Sequence, residues 1–492
     1  MSKEKKINPL IIHAIIGVAI MFLFPLLPIP YPEGTVTAAG EQVLGIFIGT
    51  LYLWTTVDPL WASLLSAGAF GITSYSSMSA ILVSWWGNAV VVQMFFIMVG
   101  VGALTHEGVT DYIGRFFMTR KFAFGKPWLF TSMILIGCYV MSVFIGAFNP
   151  ILLFWPVMYG VFRQLGYTNQ DKYPKIVLIL IVVAALFGFP VPPYMSNGLA
   201  LLSNYRGIAA NAGVEIDINN GKYFITCFIM GAVMLAIVIL FSKFVLRPDV
   251  SKIEKLTPEF FEKNPLPPMN LRQKILLITY FAYVLLMLVP SLLTSIPLMQ
   301  WLNNHSLGWA LLYVAILGAV ILSDGRPVID FPAIMSNRRV FPWATFWLCC
   351  TAIMIGSLLT SEGTGVSALL ATVLSPIFNG MGTTTFTIVL LLVAFVLTNL
   401  CNSLVIGMIL QPVILTYCTA TGVNAAPIVT LLIFFVLLSA MCTPAASPFA
   451  AMMFSNKDWL KSTDVYKYAG MYAIISLVFV LVVGIPFANL MM

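Results

Sequence analysis

The chain has 492 residues, 60% of them hydrophobic and 9% charged, with a mean hydropathy of +0.97, whereas soluble domains carry roughly 25% charged residues. That excludes a soluble protein, because no single core could hide so much apolar surface and lipid must cover the rest. The net charge of +7 is what basic cytoplasmic loops give a membrane protein and does not point to nucleic acid.

Lipid admits only helices or closed barrels. The apolar runs here are long and continuous, so the sequence predicts helices. Lys3, Lys5 and Lys6 precede an apolar run from Pro9 to Pro28 with no cleavage site of small residues. It reads as a first span, with the N-terminus cytoplasmic. Further spans are expected at about 42–57, 60–76, 87–105, 176–200, 223–245, 273–292, 307–323, 342–360, 426–442 and 469–490.

Two regions stand apart. Residues 127–162 carry no charge yet have basic residues at both ends, Arg120, Lys121 and Lys126 before and Arg163, Lys172 and Lys175 after. Asn149-Pro150 is expected to break the helix and leave an arm, Ile151 to Phe162, too short to span, so a re-entrant hairpin from the cytoplasmic side is predicted. The second region, about 384–418, lies in a stretch from Gly363 to Asn456 without Asp, Glu, Lys, Arg or His. Interrupted by Thr398-Asn399 and Asn402-Ser403, it is predicted to dip in from outside. The result is an all-α polytopic membrane protein with about 11 transmembrane helices plus two re-entrant hairpins. This layout puts every Lys and Arg except Arg206 and Lys222 in the cytoplasm, and the C-terminus outside, in a cell membrane.

The chain also resembles itself. Leu104-Thr105-His106-Glu107-Gly108 matches Leu359-Thr360-Ser361-Glu362-Gly363, and Pro156-Val157 matches Pro412-Val413, at displacements of 255 and 256. Pro190-Val191-Pro192-Pro193 falls opposite Ala445-Ala446-Ser447-Pro448. The expected organisation is a tail and first span (1–39), a first repeat (40–247), a cytoplasmic linker (248–271) with amphipathic helix around Phe260, and a second repeat (272–492). With hairpins opening to opposite sides, the repeats have inverted topology, the architecture of secondary transporters with midplane sites on broken helices.

Helix ends at such breaks can hold an anion at exposed N–H groups and a cation at carbonyls without any buried Lys or Arg. The residues expected to bind substrate are Asn149, Asn402, Ser403, Ser447, Pro448, Pro192 and Pro193. Those expected to hold Na+ are Ser142, Gly146, Pro190, Thr398, Cys401 and Ala446. Glu107 and Glu362 read as helix-end anchors. His13, His106 and His305 do not form a metal site, and the seven cysteines read as packing residues. No catalytic pairing of carboxylates or histidines is visible, so no enzyme and no cofactor beyond Na+ as coupling ion are expected.

The segment Leu53-Trp54-Thr55-Thr56-Val57-Asp58-Pro59-Leu60, the helix from Met94 to Arg115 and the paired hairpins and breaks resemble the divalent anion:sodium symporter family. That family has a Ser-Asn-Thr tripeptide at each hairpin tip, holding sodium and a carboxylate or sulfate. Here the tips read Cys401-Asn402-Ser403-Leu404 and Gly146-Ala147-Phe148. Its Thr-Pro-Pro motif appears as Val191-Pro192-Pro193 and Ser447-Pro448-Phe449. The resemblance implies a homodimer in the bilayer that moves a small organic anion, such as a di- or tricarboxylate, by Na+-coupled or exchange transport, with the hairpin domains moving as an elevator. The readings weighed against it are a cation/proton antiporter, which needs a titratable interior group, and a non-transporting scaffold or sensor.

Overall fold

The computed structural model describes residues 9–216, 218–257, 266–337, 340–366, 368, 369, 372, 380–400 and 402–492. They form helices, turns and one isolated bridge between Ile321 and Pro327. In chain order come α1 (Pro9–Leu23), α2 (Ala38–Thr56), α3 (Pro59–Gly71), α4 (Met78–Trp85), α5 (Ala89–His106) and the amphipathic α6 (Val109–Met118). Next are α7 (Pro127–Ile145), α8 (Phe148–Gln164), α9 (Lys172–Gly188), α10 (Ser196–Asn211) and α11 (Asn220–Phe241). After the linker follow α12 (Leu271–Leu292), α13 (Pro297–Asn304), α14 (Ser306–Ala319), α15 (Phe331–Ser336) and α16 (Trp343–Thr360). The chain ends with α17 (Thr383–Leu400), α18 (Ser403–Thr421), α19 (Ala426–Leu438), α20 (Pro448–Ser455), α21 (Ser462–Phe479) and α22 (Ile485–Met491).

Many of these starts are written in the sequence. Thr37, Asp58, Ser77, Asn88, Asn219, Asn402 and Ser447 each accept a hydrogen bond from the first turn they precede, satisfying amides that have no partner inside the helix. Pro59, Pro127, Pro297, Pro427 and Pro448 stand at the first or second helical position, where the missing N–H costs nothing. Among the described residues, seven stretches are long and apolar enough to cross a membrane: Ala89–His106, Pro127–Ile145, Asn220–Leu246, Leu271–Leu292, Thr383–Leu400, Ser403–Thr421 and Ser462–Met491. With four shorter apolar helices beside them, the chain is a polytopic membrane protein.

The structure redraws several boundaries. The expected break at Asn149-Pro150 is not there: both residues sit in the first turn of α8, where proline is tolerated, and the break falls at Gly146-Ala147. The returning arm is therefore 17 residues long, not the 12 expected. The expected span 176–200 is two helices, α9 and α10, parted at Phe189–Met195. The expected span 426–442 stops at Leu438, and the expected span 60–76 is the 13-residue α3 followed by the separate α4. The amphipathic stretch expected around Phe260 lies outside the described residues.

Two helices make the centre. In α9 every residue from Ile176 to Gly188 is buried, and in α19 every residue is. A helix apolar on all faces must be enclosed by others, and here α7, α8, α11 and α21 pack around α9. Gly188 permits the closest approach: a Cβ there would stand 2.5 Å from the Tyr139 carbonyl oxygen and 2.9 Å from Ser142 Cβ on α7. The helices α5, α7, α8, α9 and α10 are followed in the same order by α16, α17, α18, α19 and α20, with starts displaced by about the interval found in the sequence (for α8 and α18, 403 − 148 = 255).

Polar residues gather at two ends. At the basic end Lys175 pairs with Asp464 at 3.1 Å, Lys252 with Asp171 at 3.3 Å and Arg272 with Asp324 at 2.8 Å. At the other, Thr37 donates to Gly363 O at 2.9 Å, Tyr75 to Ser361 at 2.6 Å and Arg206 to Asn220 at 2.7 Å. Arg272 is 4% exposed and also donates to the carbonyls of Pro327 and Arg326, both at 3.1 Å. It ties the start of α12 to the loop after α14. Chiefly through this hydrogen bond, and then through the Arg326 amide, the Asp324 carboxyl is held down at about 2.

Arg272→Leu should therefore lower the melting temperature of the purified protein, while Arg326→Ala, whose pair is 59% exposed on the arginine side, should leave it unchanged. Because the folded-state pKa of Asp324 is depressed, its contribution is complete above the unfolded value of roughly 3.9 and is lost as pH falls toward about 2. The melting gap between the natural chain and Asp324→Asn should close over that interval in a pH-resolved thermal unfolding series.

Candidate functional site

The second hairpin tip and the second break are stitched to one another. The Asn399 side chain donates through Nδ2 to Phe395 O at 2.9 Å and accepts through Oδ1 from Cys442 N at 2.9 Å. Thr443 Oγ1 donates to Asn399 O at 2.6 Å, and Ser403 N to Ala446 O at 3.2 Å. Ser447 Oγ donates to Ala440 O at 2.7 Å and accepts from Ala450 N at 3.1 Å, while Asn402 Oδ1 accepts from Leu404 N at 3.0 Å. Pro444 and Pro448 keep residues 439–447 from continuing α19, and these bonds replace the helical ones that the break forfeits. Two hydroxyls are left over: Thr398 on the tip helix and Ser439 at the start of the break are fully buried with no hydrogen-bond partner. Cys401 lies outside the described residues.

The first tip is built more from backbone. Gly146 adopts φ 83°, ψ 160°, a conformation open essentially to glycine alone. Ser142 is spent on α9, its Oγ donating to Ala185 O at 2.5 Å. Asn149 donates to Ile145 O at 2.7 Å and accepts from Thr105 at 3.1 Å. The Pro190 carbonyl accepts from Tyr223 OH at 2.8 Å, and the Phe144 carbonyl accepts from Tyr280 OH.

Between the tips and breaks lie two adjoining cavities. The smaller, about 110 Å³, is bounded by Asn402, Ser403, Leu404 and Ser447 together with Pro59 and Leu348. The larger, about 380 Å³, is bounded by Gly146, Phe148 and Asn149 together with Met98, Met195 and Met452. Phe189, Asn197, Thr345, Pro448 and Phe449 line both. Among the described residues, neither lining contains an Asp, Glu, Lys, Arg or His.

Five helices begin at this cleft: α8 at Phe148 and Asn149, α10 at Asn197, α16 at Ala344 and Thr345, α18 at Ser403 and Leu404, and α20 at Pro448 and Phe449. A helix start carries roughly half a positive charge, so the cleft favours an anion without a basic side chain. A sixth, α3, also starts there at Pro59, but the Asp58 carboxylate caps its Leu60 and Trp61 amides at 2.9 and 3.0 Å and its negative charge offsets that of the helix start, whereas the caps of α18 and α20, Asn402 and Ser447, are neutral.

Of the residues expected at the site, Gly146, Asn149, Asn402, Ser403, Ser447 and Pro448 line the cavities. Ser142, Pro190, Pro192, Pro193, Thr398 and Ala446 are buried and line neither cavity. Sequence reasoning passed over Thr345, an ordinary threonine in an apolar helix that only packing brings to the tips; Phe189 and Phe449 lie within the break segments read from the sequence but were not among the residues expected to bind. Asn197, one turn beyond the first break, carried the signal of its position.

A chain of apolar helices enclosing a cleft at paired helix breaks is a membrane transporter. Residues 200–492 match the family model described as the sodium:sulfate symporter transmembrane region, and the chain belongs to that family. A solved structure, that of the Alcanivorax borkumensis YdaH transporter, described as having an unusual topology, superposes with a TM-score of 0.54 over 98% of this chain and 96% of that one. At 12% sequence identity the likeness is one of fold. No curated protein matches the chain.

Gly146→Ala tests the backbone geometry of the first tip. A Cβ there meets nothing within 4 Å, so any cost is conformational, about 1–3 kcal/mol. The variant should unfold at lower temperature, whereas Gly382→Ala, equally open and without the unusual backbone, should match the natural chain in the same thermal scan.

Proposed function

We propose that the protein is a secondary active transporter of a small organic anion, a carboxylate, coupled to Na+. The observation that carries this reading is the convergence of five helix N-termini on an uncharged cleft between two hairpin tips. An anion entering it meets partial positive charge in a medium of low dielectric, where such interactions are strong. The absence of titratable side chains among the described lining residues weighs against proton exchange, which needs one in the interior.

Na+ coupling draws support from Thr398. A buried hydroxyl without a partner is destabilising by about 1–3 kcal/mol, and one beside a helix break is available as a cation ligand. Ser142, the counterpart of Thr398 in the first unit, already donates to Ala185 O. The second unit is therefore the better candidate for the ion. Alternating access follows if the two units are inverted repeats whose hairpins move as an elevator against α1–α6 and α12–α16. The separate polar networks at the two ends support the sequence-based assignment of the basic end, with the N-terminus, to the cytoplasm and the C-terminus to the outside.

Proteoliposomes holding an inward Na+ gradient should accumulate at least one anion from a panel of succinate, citrate and sulfate, and collapse of the gradient should abolish accumulation. Neither gradient-driven uptake nor counterflow for any of them would remove the transport reading. Thr398→Val isolates the ion. It deletes an unpaired polar atom while keeping the side chain's shape, so thermal stability without Na+ should be equal or higher, while the stabilisation conferred by added Na+ should disappear. An unchanged Na+ response would sink the assignment.

A further inference from the structure

The first turn of α10 carries a polar side chain that neither hairpin tip supplies. Asn197 lines both cavities, and among the described residues its side chain makes one hydrogen bond, in which Oδ1 accepts from Cys349 Sγ at 3.6 Å. Cys349 is fully buried on α16, one turn beyond Thr345, which lines both cavities as well. With Oδ1 engaged by the thiol, the two N–H groups of Nδ2 are left for the cleft, to which the half-buried Asn197 is open. Met195 before it provides no capping side chain, so the Asn197 amide stands beside the unmet N–H groups of a helix start.

The placement is fixed from further along the helix. Asn197 meets Cys349 and Asn204 meets Gly356, in each helix seven residues or two turns on, so α10 and α16 lie side by side in the same direction. At the second meeting a Cβ on Gly356 would stand 1.6 Å from Asn204 Oδ1. Asn204 donates to Gln411 on α18 at 2.6 Å, and Gln411 donates to Leu201 O at 2.8 Å. Both amides are buried. They hold the register of α10 against α16 and against the arm of the second hairpin, which keeps Asn197 opposite Cys349 in the cavity that Asn402 and Ser403 also line.

We propose that Asn197 is a ligand of the transported anion, donating through Nδ2, and that Cys349 is a positioning residue that sets which face of that amide the anion meets. This rests on the transport reading above and adds a specificity-determining side chain to it. The oxygen and the NH2 of an asparagine are nearly the same shape, so an unrestrained amide turns over at little cost. One orientation offers an anion two donors, and the other offers a carbonyl oxygen that repels it. A thiol donating to Oδ1 holds the amide in the first. Hydrogen bonds to a charged acceptor are the stronger kind, so the orientation of this one amide alters affinity. In the proposed cycle α10 moves past α16, and Cys349 sets the orientation in the conformation that the structure shows.

The test uses the full-length protein in proteoliposomes and follows initial uptake of succinate, citrate and sulfate down a Na+ gradient, with thermal unfolding without substrate as a check on folding. Asn197→Asp keeps an acceptor for Cys349 and nearly the same shape, but replaces both N–H groups by a negative oxygen. It should raise KM for the anion that the natural chain takes up by about tenfold or more, while unfolding near the natural temperature. If it does not fold, Asn197→Ala, which truncates a side chain open to the cleft, carries the same expectation. Cys349→Ala should raise KM severalfold at an unchanged maximal rate, and Cys349→Ser, which restores a donor, should recover most of the loss. A packing role alone would show in the melting temperature and leave KM where it was. A natural KM in the Asn197 variants overturns the proposal and leaves transport standing. A natural KM in Cys349→Ala, or equal loss in the alanine and serine variants, removes the positioning role. If the natural chain neither takes up nor is stabilised by any of the three anions, both readings fall.

Discussion

Helix ends buried inside an apolar body impose the governing constraint on this protein. Every interrupted helix leaves amides and carbonyls that lipid cannot satisfy, each costing several kcal/mol if left alone. At the interior breaks most of that debt is met by short polar side chains close to the break. Asn399 joins tip and break with two bonds, Ser447 closes the start of α20, and Asn149 and Tyr223 serve the first unit. What remains is a set of helix starts facing one cleft, which gives the cleft its preference for negative charge.

The enclosed helices α9 and α19 make this arrangement possible. Each is apolar on every face and ends at a proline-rich break, so the breaks fall inside the protein rather than at its surface. Gly188 lets α7 come against the end of α9, which holds the first tip beside the first break. An aromatic corner formed by Phe148, Phe189 and Phe449 is a product of the same packing. One ring comes from a hairpin tip and one from each of two breaks, distant in sequence and joined only because the breaks meet.

Legibility followed the range of the interaction. Helix starts were visible wherever a capping residue or a first-turn proline marked them, since these act within three or four residues. The second tip was legible for that reason: Asn402 and Ser403 interrupt a long uncharged stretch, and a polar residue there needs a purpose. The first tip misled, because Asn149-Pro150 looks like a break yet is an acceptable first turn, and the real interruption is Gly146, whose backbone conformation no neighbouring residue announces. Thr345 was invisible as a site residue, because its neighbours along the chain are ordinary for a buried helix, and Phe189, though beside the expected break, has no polar atom to mark it as a site residue.

By itself the sequence determined the class of protein: apolar content demanded lipid, continuous runs demanded helices, and the displacement near 255 residues predicted which elements would recur. These follow from composition and from backbone preferences local to each segment. Only the tertiary structure decided that five helices begin at the same cleft, that Phe148, Phe189 and Phe449 meet there, and that Thr398 is left without a partner. Those are facts about which surfaces meet, and they depend on packing between residues as much as 300 positions apart.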